Sequence, residues 1–275
     1  MAELLFSNTG DNFNNVDYEA DSGDPCFDNV KFTVIPDPDN SQNNVLRVYQ
    51  PGDGSCLDAG DRHRAQMVAL GTNGSALDLR EYGVPYWFGV RCWVQDIQFT
   101  SVNQFSYFNI KGNNAGELNL ILEGSISACK LRVHAKYTTA SNTAVTTAEN
   151  EYPIPTRQWF NLVIETVRAT DTTGYVNVWL DTALDGNYTE LTNSAFENIR
   201  TACDPSIIAG TIMKTRFGVY WGSQNSGDAR LYFDEWRIAR GANGFNDVDP
   251  NQGGIIIPPT IDFPPEGFIA VDNTD

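Results

Sequence analysis

Short stretches rich in β-branched and aromatic residues recur along the chain, separated by Gly, Pro, Asn and Asp. They fall at 30–35, 45–49, 63–70, 86–94, 105–111, 118–122, 130–137, 159–167, 175–180, 215–221 and 231–239. Such side chains suit a pleated, half-buried surface and the breakers between them mark turns, so each stretch predicts a strand. In Leu131-Arg132-Val133-His134-Ala135-Lys136-Tyr137 the apolar odd positions alternate with basic even ones. One face of that strand therefore packs inward while the other meets solvent or a groove. Strands in this number, with no amphipathic helices between them, predict an all-β fold, an antiparallel β-sandwich of the jelly-roll kind. A short helix is expected over 192–201, and the polar, repetitive segment 140–151 reads as a long hairpin loop.

The end of the chain differs in kind. After Arg240 come Gly253-Gly254-Ile255-Ile256-Ile257-Pro258-Pro259 and then Phe263-Pro264-Pro265. Paired prolines block both helix and interior strand and favour extended backbone. The expected organisation is a sandwich over 1–245 and an extended Pro-rich arm over 246–275. Ile255–Ile257 would give that arm an apolar grip on another subunit of an assembly.

Composition sharpens this picture. The 275 residues include 15 Phe, 11 Tyr and 6 Trp, enough for a substantial core, while charged residues make up only 19%. With 35 acidic residues against 18 basic ones the net charge is −17, which repels phosphate backbones and argues against a nucleic-acid partner. Asp17, Glu19, Asp21, Asp24 and Asp28 lie close together but lack the spacing and central Gly of an EF-hand loop. They read first as a solvated acidic loop, with Ca²⁺ as the alternative; no other cofactor is expected. The five cysteines form no CxxC pair, which argues against zinc. Cys92 and Cys129 fall in apolar runs and read as small buried hydrophobes, and pairing of Cys26 with Cys56 stays open. No run approaches the length of a membrane span, and Met1–Phe6 has no basic n-region. The expected location is a virion or extracellular surface reached without a signal peptide, or secretion if a leader has been removed.

The order of several short motifs resembles the heparin-lyase-type polysaccharide lyases, jelly rolls akin to concanavalin A, over about residues 25–240. Arg62-His63-Arg64-Ala65-Gln66-Met67 is similar to that family's Arg-Ala-Glu-Leu strand, and Tyr86-Trp87-Phe88-Gly89-Val90 to the Trp-Tyr-Gly-Phe strand after it. Asn103-Gln104-Phe105-Ser106 falls where many members read Gln-Trp-His. Arg157-Gln158-Trp159 followed by Gly174 to Asp181 resembles the Arg-Trp…Gly…Val-Trp pair of strands. Thr215-Arg216-Phe217-Gly218-Val219-Tyr220 is similar to the Phe-Lys-x-Gly-Ile-Tyr strand, and Leu231 to Ile238 to the closing Tyr-Tyr-Asp-Asp-Val-Arg strand.

The resemblance implies a chemistry. Such a lyase neutralises a uronate carboxylate, removes the C5 proton and protonates the leaving oxygen. By position Tyr220 matches the catalytic Tyr, Gln104 the amide and Arg64 the groove Arg. Gln66 replaces the family's Glu, Ser106 its His and Arg216 its Lys. His63 shares a face with Ala65 and Met67 and reads as a core or rim residue. Arg132, His134 and Lys136 form a basic stripe that would bind an acidic glycan if it lines the concave face, where His134 could stand in for the missing His. If that face is convex, they are a solvated sheet surface; Lys111 is open in the same way. Tyr107, Trp179 or Trp221 could stack on sugars in the groove.

Three functions follow. The preferred one is a non-catalytic jelly roll serving as a structural or surface-attachment protein, as in virion decoration, with glycan binding as an added role. The others are an active lyase on an anionic uronate polymer, using Tyr220, and a soluble glycan-binding module.

Overall fold

The computed structural model describes residues 2–12, 14–19, 30–52, 56, 63–98, 104–112, 116–221 and 228–252. The strands they form are β1 (Glu3–Asn8), β2 (Val16–Glu19), β3 (Phe32–Pro36), β4 (Asn44–Gln50), β5 (His63–Ala69), β6 (Pro85–Ile97), β7 (Gln104–Lys111) and β8 (Gly116–Ser125). The second half of the chain adds β9 (Ala128–Thr138), β10 (Ala144–Pro153), β11 (Trp159–Val167), β12 (Tyr175–Asp181), β13 (Thr189–Glu190), β14 (Lys214–Trp221) and β15 (Ala229–Arg240). One sheet runs β13-β12-β11-β6-β15-β4-β3, with β1 also paired to β15; the other runs β10-β9-β8-β7-β14-β5-β2. Every pairing is antiparallel, so the fold is the expected jelly-roll sandwich.

Alternation decides what each sheet gives to the core. Leu131, Val133 and Ala135 of β9 face inward with Leu118, Leu120 and Leu122 of β8, against Phe88, Phe160, Leu162 and Ile164 of the first sheet. The first sheet is covered on its outer face as well. Trp93, Trp159 and Tyr232 cluster there, and Trp87 stacks on Trp179, with ring centroids 5.9 Å apart. All nine residues of β11 are therefore buried.

A buried ion pair joins the two sheets at one end. Arg168, just past β11, donates from Nε and Nη2 to the two carboxylate oxygens of Glu117 on β8, at 2.5 and 2.7 Å. The two side chains are 1% and 2% exposed. Arg168 also donates to the carbonyl of Leu79 and stacks over Tyr82, while Glu117 accepts the Cys203 amide.

Three expectations are corrected. Segment 140–151 is no loop: it contains most of β10, an edge strand whose side chains are largely exposed. The helix over 192–201 reduces to a single 3₁₀ turn, Ser194–Phe196, capped by Asn193. Thr192 and Thr201 use their hydroxyls to bind the backbone of β11 and β12 instead, a local competition that disfavours helix. The packed region also continues past 245. Helix α1 (Phe245–Val248) lies on the outer face of the first sheet, where a Cβ at Gly89 would come within 1.8 Å of the Val248 carbonyl oxygen. Arg237 donates to the Asp249 carbonyl, and Asn251 bridges Asn161 and Asp181. The arm beyond 252 lies outside the described residues.

Cys92, Cys129 and Cys203 are free and buried, whereas Cys56 is disulfide-bonded; Cys26 lies outside the described residues. Among the described residues no helix is long and apolar enough to cross a membrane.

Two stability predictions follow from this packing. Glu117→Gln leaves the Arg168 guanidinium buried beside a neutral group and should cost about 3–5 kcal/mol in chemical denaturation, whereas replacing the pair together by Leu and Met should restore much of that loss. The second concerns Asp234, 3% exposed at a bulge of β15 and covered by Gly10. Burial lifts its carboxyl to about 7, Glu235 and Asp37 adding repulsion that Arg91 opposes. The folded state thus keeps a proton that the unfolded chain releases, so this contribution is largest below about pH 4 and is lost as pH climbs to about 7. Asp234→Asn should remove that slope, its stability gaining on wild type by up to about 4 kcal/mol over the same interval.

Candidate glycan-binding face

The outer face of the second sheet collects most of the residues singled out in the sequence. Because Ala65, Met67, Phe217 and Val219 point into the core, Arg64, Gln66, Arg216 and Tyr220 point outward from β5 and β14. Tyr220 is half-buried and lies opposite Arg64 on one side and Ser106 on the other. The Arg64 guanidinium stands 5.1 Å from the Tyr220 ring centroid, and the Lys111 ammonium 5.8 Å from it. The start of β5 is fixed from beneath by buried Lys31, which donates to the Arg64 carbonyl at 2.7 Å.

Two irregularities shape this face. A bulge between Ser106 and Phe108 turns both Tyr107 and Phe108 inward, leaving Ser106, Asn109 and Lys111 outside. Opposite it, β14 is irregular relative to β7 between Phe217 and Tyr220, and Gly218 adopts φ 136° there. A Cβ at Gly218 would lie 2.1 Å from the Ala65 carbonyl oxygen, so only glycine lets β14 pass this close to β5.

A chain of polar groups fixes the centre of the face. Arg216 donates to the Lys111 carbonyl at 2.8 Å and to Asn109 Oδ1 at 3.4 Å. Asn109 donates to Ser106 Oγ at 3.1 Å, and Ser106 donates to Asn119 Oδ1 at 2.5 Å. The Ser106 hydroxyl is thus part of an amide relay. Gln66 is 3% exposed, and its Nε2 has no hydrogen-bond partner among the described residues.

The basic stripe of β9 divides in two. Arg132 faces Glu123 at 2.5 Å, Glu151 at 3.3 Å and Glu149 at 3.6 Å, so its charge is matched within its own cluster. His134 Nε2 lies 2.7 Å from Thr146 Oγ1. Burial, reinforced by Lys136 and Arg132, pushes the imidazole below its ordinary value against the pull of Glu149, which favours the neutral ring. Three strand spacings, about 14 Å, separate β9 from β14. His134 therefore does not take the place of a His beside Tyr220. Lys136 belongs to the other half: burial and the nearby Lys111 lower its ammonium from the ordinary lysine value.

Two of the aromatic candidates are corrected. Tyr107 is 1% exposed, packed between Phe217 and Phe233, because the β7 bulge breaks the alternation that would place it outside. Trp179 lies on the other sheet, against Trp87 and Phe245. The side chains of Trp221, Gln104 and His63 lie outside the described set. So do the side chain of Glu19 and all of Asp21, Asp24 and Asp28; Asp17 is exposed. Among the described residues no group of three His, Cys, Asp or Glu is placed to hold a metal ion. Sequence reading gave no role to Asn109 and Asn119. Their signal was a polar residue at an outward position between inward-facing apolar neighbours, Phe108 and Ile110 for one, Leu118 and Leu120 for the other.

Two antiparallel sheets, one carrying an outward tyrosine among cations and amides, define a jelly roll with a polar working face. The family model described as "Polysaccharide lyase" matches residues 7–237, and the chain belongs to that family. No curated protein sequence matches. The fold is similar to that of an endo-β-1,4-glucuronan lyase from the fungus Trichoderma reesei, with 17% identity, a TM-score of 0.60, and 89% of this chain and 98% of that one covered. It is also similar to a marine alginate lyase from Aplysia kurodai, at 12% identity and a TM-score of 0.53, covering 86% and 98%. An alginate lyase of polysaccharide lyase family 7 aligns at 10% identity and a TM-score of 0.54, covering 83% and 95%. At these identities the likeness is one of fold.

The β14 irregularity makes a direct prediction. Gly218→Ala should lower the thermal midpoint sharply and, where folded protein is recovered, change near-ultraviolet circular dichroism from the displaced Tyr220. An unaltered midpoint and spectrum would show that the strand tolerates the added methyl group.

Proposed function

We propose that the protein is a polysaccharide lyase that binds an anionic uronate polymer across the outer face of the second sheet and cleaves it by β-elimination, with Tyr220 as the proton-transferring residue. The observation that carries this reading is the placement of Tyr220 between the Arg64 and Lys111 cations on a half-buried, amide-lined face. A uronate carboxylate seated against these cations has its charge offset as electron density builds toward it. The Tyr220 oxygen, as phenolate, takes the C5 proton; the C4–O bond breaks as the C4–C5 double bond forms, and the proton passes to the departing glycosidic oxygen. Electrons and protons balance with one residue serving as base and then acid. The heparin-lyase-type branch is our finer placement within the family, supported by the order of motifs from Arg62 to Ile238.

A second reading has its own support. Ser106 stands where the family pattern has His, and its hydroxyl is engaged by Asn109 and Asn119. A protein that keeps the polymer-binding face without turnover would serve as a glycan-binding, structural or surface-attachment module, virion decoration among these roles, with the segment after 252 joining other subunits. The deciding measurement is ultraviolet absorbance of unsaturated uronate during incubation with glucuronan, alginate and heparin. The expected result is growth of that signal with at least one polymer and its loss, by about a thousandfold or more, in Tyr220→Phe. A flat trace on all three, with binding retained, would replace the lyase with the non-catalytic module.

A further inference from the structure

The strand that carries Arg64 is flanked unevenly at its start. On one side β14 pairs with β5 from His63 to Val68 and sets Tyr220 opposite Arg64. On the other side β2 pairs with β5 from Gln66 to Ala69 and, among the described residues, goes no further. The carbonyls show which side each residue needs. That of Ala65 points toward β14, since a Cβ at Gly218 would lie 2.1 Å from its oxygen. Successive carbonyls of a strand point to opposite neighbours, so the Arg64 carbonyl points away from β14, where β2 has ended.

Lys31 fills that position. Its ammonium donates to the Arg64 carbonyl at 2.7 Å, and the residue is 0% exposed. Its own backbone belongs to the first sheet: Lys31 leads into β3, and its carbonyl accepts the Tyr49 amide of β4 at 2.8 Å. The side chain therefore crosses from one sheet to the other. Lysine is almost never buried completely, because taking an ammonium out of water is costly. An apolar side chain would fill the same space without that cost. What the ammonium adds is a charge-assisted hydrogen bond to one backbone atom. That atom belongs to the residue whose guanidinium stands 5.1 Å from the Tyr220 ring.

We propose that Lys31 is a positioning residue for the Tyr220 site: it stands in where β2 ends, holds the backbone at Arg64, and so keeps the guanidinium over the tyrosine. This inference rests on the polyuronate reading above. Strand ends with few backbone partners open more readily than strand centres. A drift of about 1 Å in a group beside the reacting atoms is enough to slow turnover markedly. Lys31 lies beneath the sheet, on the side away from the polymer, so its influence passes through Arg64 and not through a contact of its own with the sugar.

The test is a double-mutant cycle between Lys31→Met and Arg64→Met, read in glucuronan affinity by titration calorimetry and in kcat/KM for a polymer that is cleaved. Lys31→Met, which keeps the length of the side chain, should lower both by about tenfold in the wild-type background. Once Arg64 is replaced it should lower neither further, because the two changes act through one group. Lys31→Arg, which keeps a cationic donor, should recover most of the loss. Equal losses in both backgrounds, or full affinity and turnover in Lys31→Met, would overturn the positioning role and leave Lys31 a core contact. Hydrogen exchange on the wild-type protein gives a second arm that needs no folded variant. The Ala65 amide should exchange as slowly as amides at the centre of β14; fast exchange there would show that β5 is not held at this end and would overturn the inference. Full affinity and turnover in Arg64→Met would remove Arg64 from the site and overturn the inference with it. Wild type that neither binds nor cleaves glucuronan, alginate or heparin would overturn the polyuronate reading, with the exchange arm still deciding whether Lys31 holds β5.

Discussion

The buried pair between Arg168 and Glu117 reaches further than its own two side chains. It sits where the end of β11 meets the start of β8, so it sets how the two sheets close on each other at that edge. Arg168 holds the carbonyls of Leu79 and Glu81 as well, which ties the approach to β6 into the same knot. An ion pair so thoroughly removed from water is a weak source of net stability, yet losing either partner leaves an uncompensated charge. Both carboxylate oxygens are engaged by the one guanidinium, a bidentate geometry that adds directional specificity to the contact between the sheets. By drawing Glu117 inward it also withdraws an acidic group from the outer face, and this helps determine the charge that a ligand meets there.

Much of this fold could be read from alternation alone, because β9 has one wet face and one dry one and β12 and β14 send alternate residues into the core. The residues Arg64, Arg216 and Tyr220 could be placed outward on the same ground. The failures share a physical origin. Segment 144–153 is an edge strand with little burial on either face, so hydrophobic pattern carries no signal for it. Tyr107 is turned inward by a bulge, and a single extra residue reverses every parity argument downstream. The turn at Ser194–Phe196 shows threonines and asparagines bonding to the backbone in ways that helix propensity does not register. The separation of Arg132 from Lys136 depends on where Glu123, Glu149 and Glu151 fall across three strands, which no local pattern contains.

The electrostatic character of the molecule is also divided by distance. Seen from afar, a chain of net charge −17 repels a polyanion. Close to Tyr220 on the second sheet, Arg64 and Lys111 each lie within 6 Å of the ring, a distance shorter than the Debye length at physiological salt. For the proposed polyuronate, this contrast would orient the polymer toward the second sheet before any sugar is recognised. Moderate salt weakens the long-range repulsion and the local attraction by different amounts, since the half-buried cations are screened less.

The strap formed by α1 and Asn251 ends at Gln252 on the outer face of the first sheet, with the whole thickness of the sandwich between it and Tyr220. The described chain therefore ends on the side of the sandwich away from the Tyr220 face. The strap and the tyrosine face thus lie on opposite sides of the core, so a ligand laid along one does not meet the other.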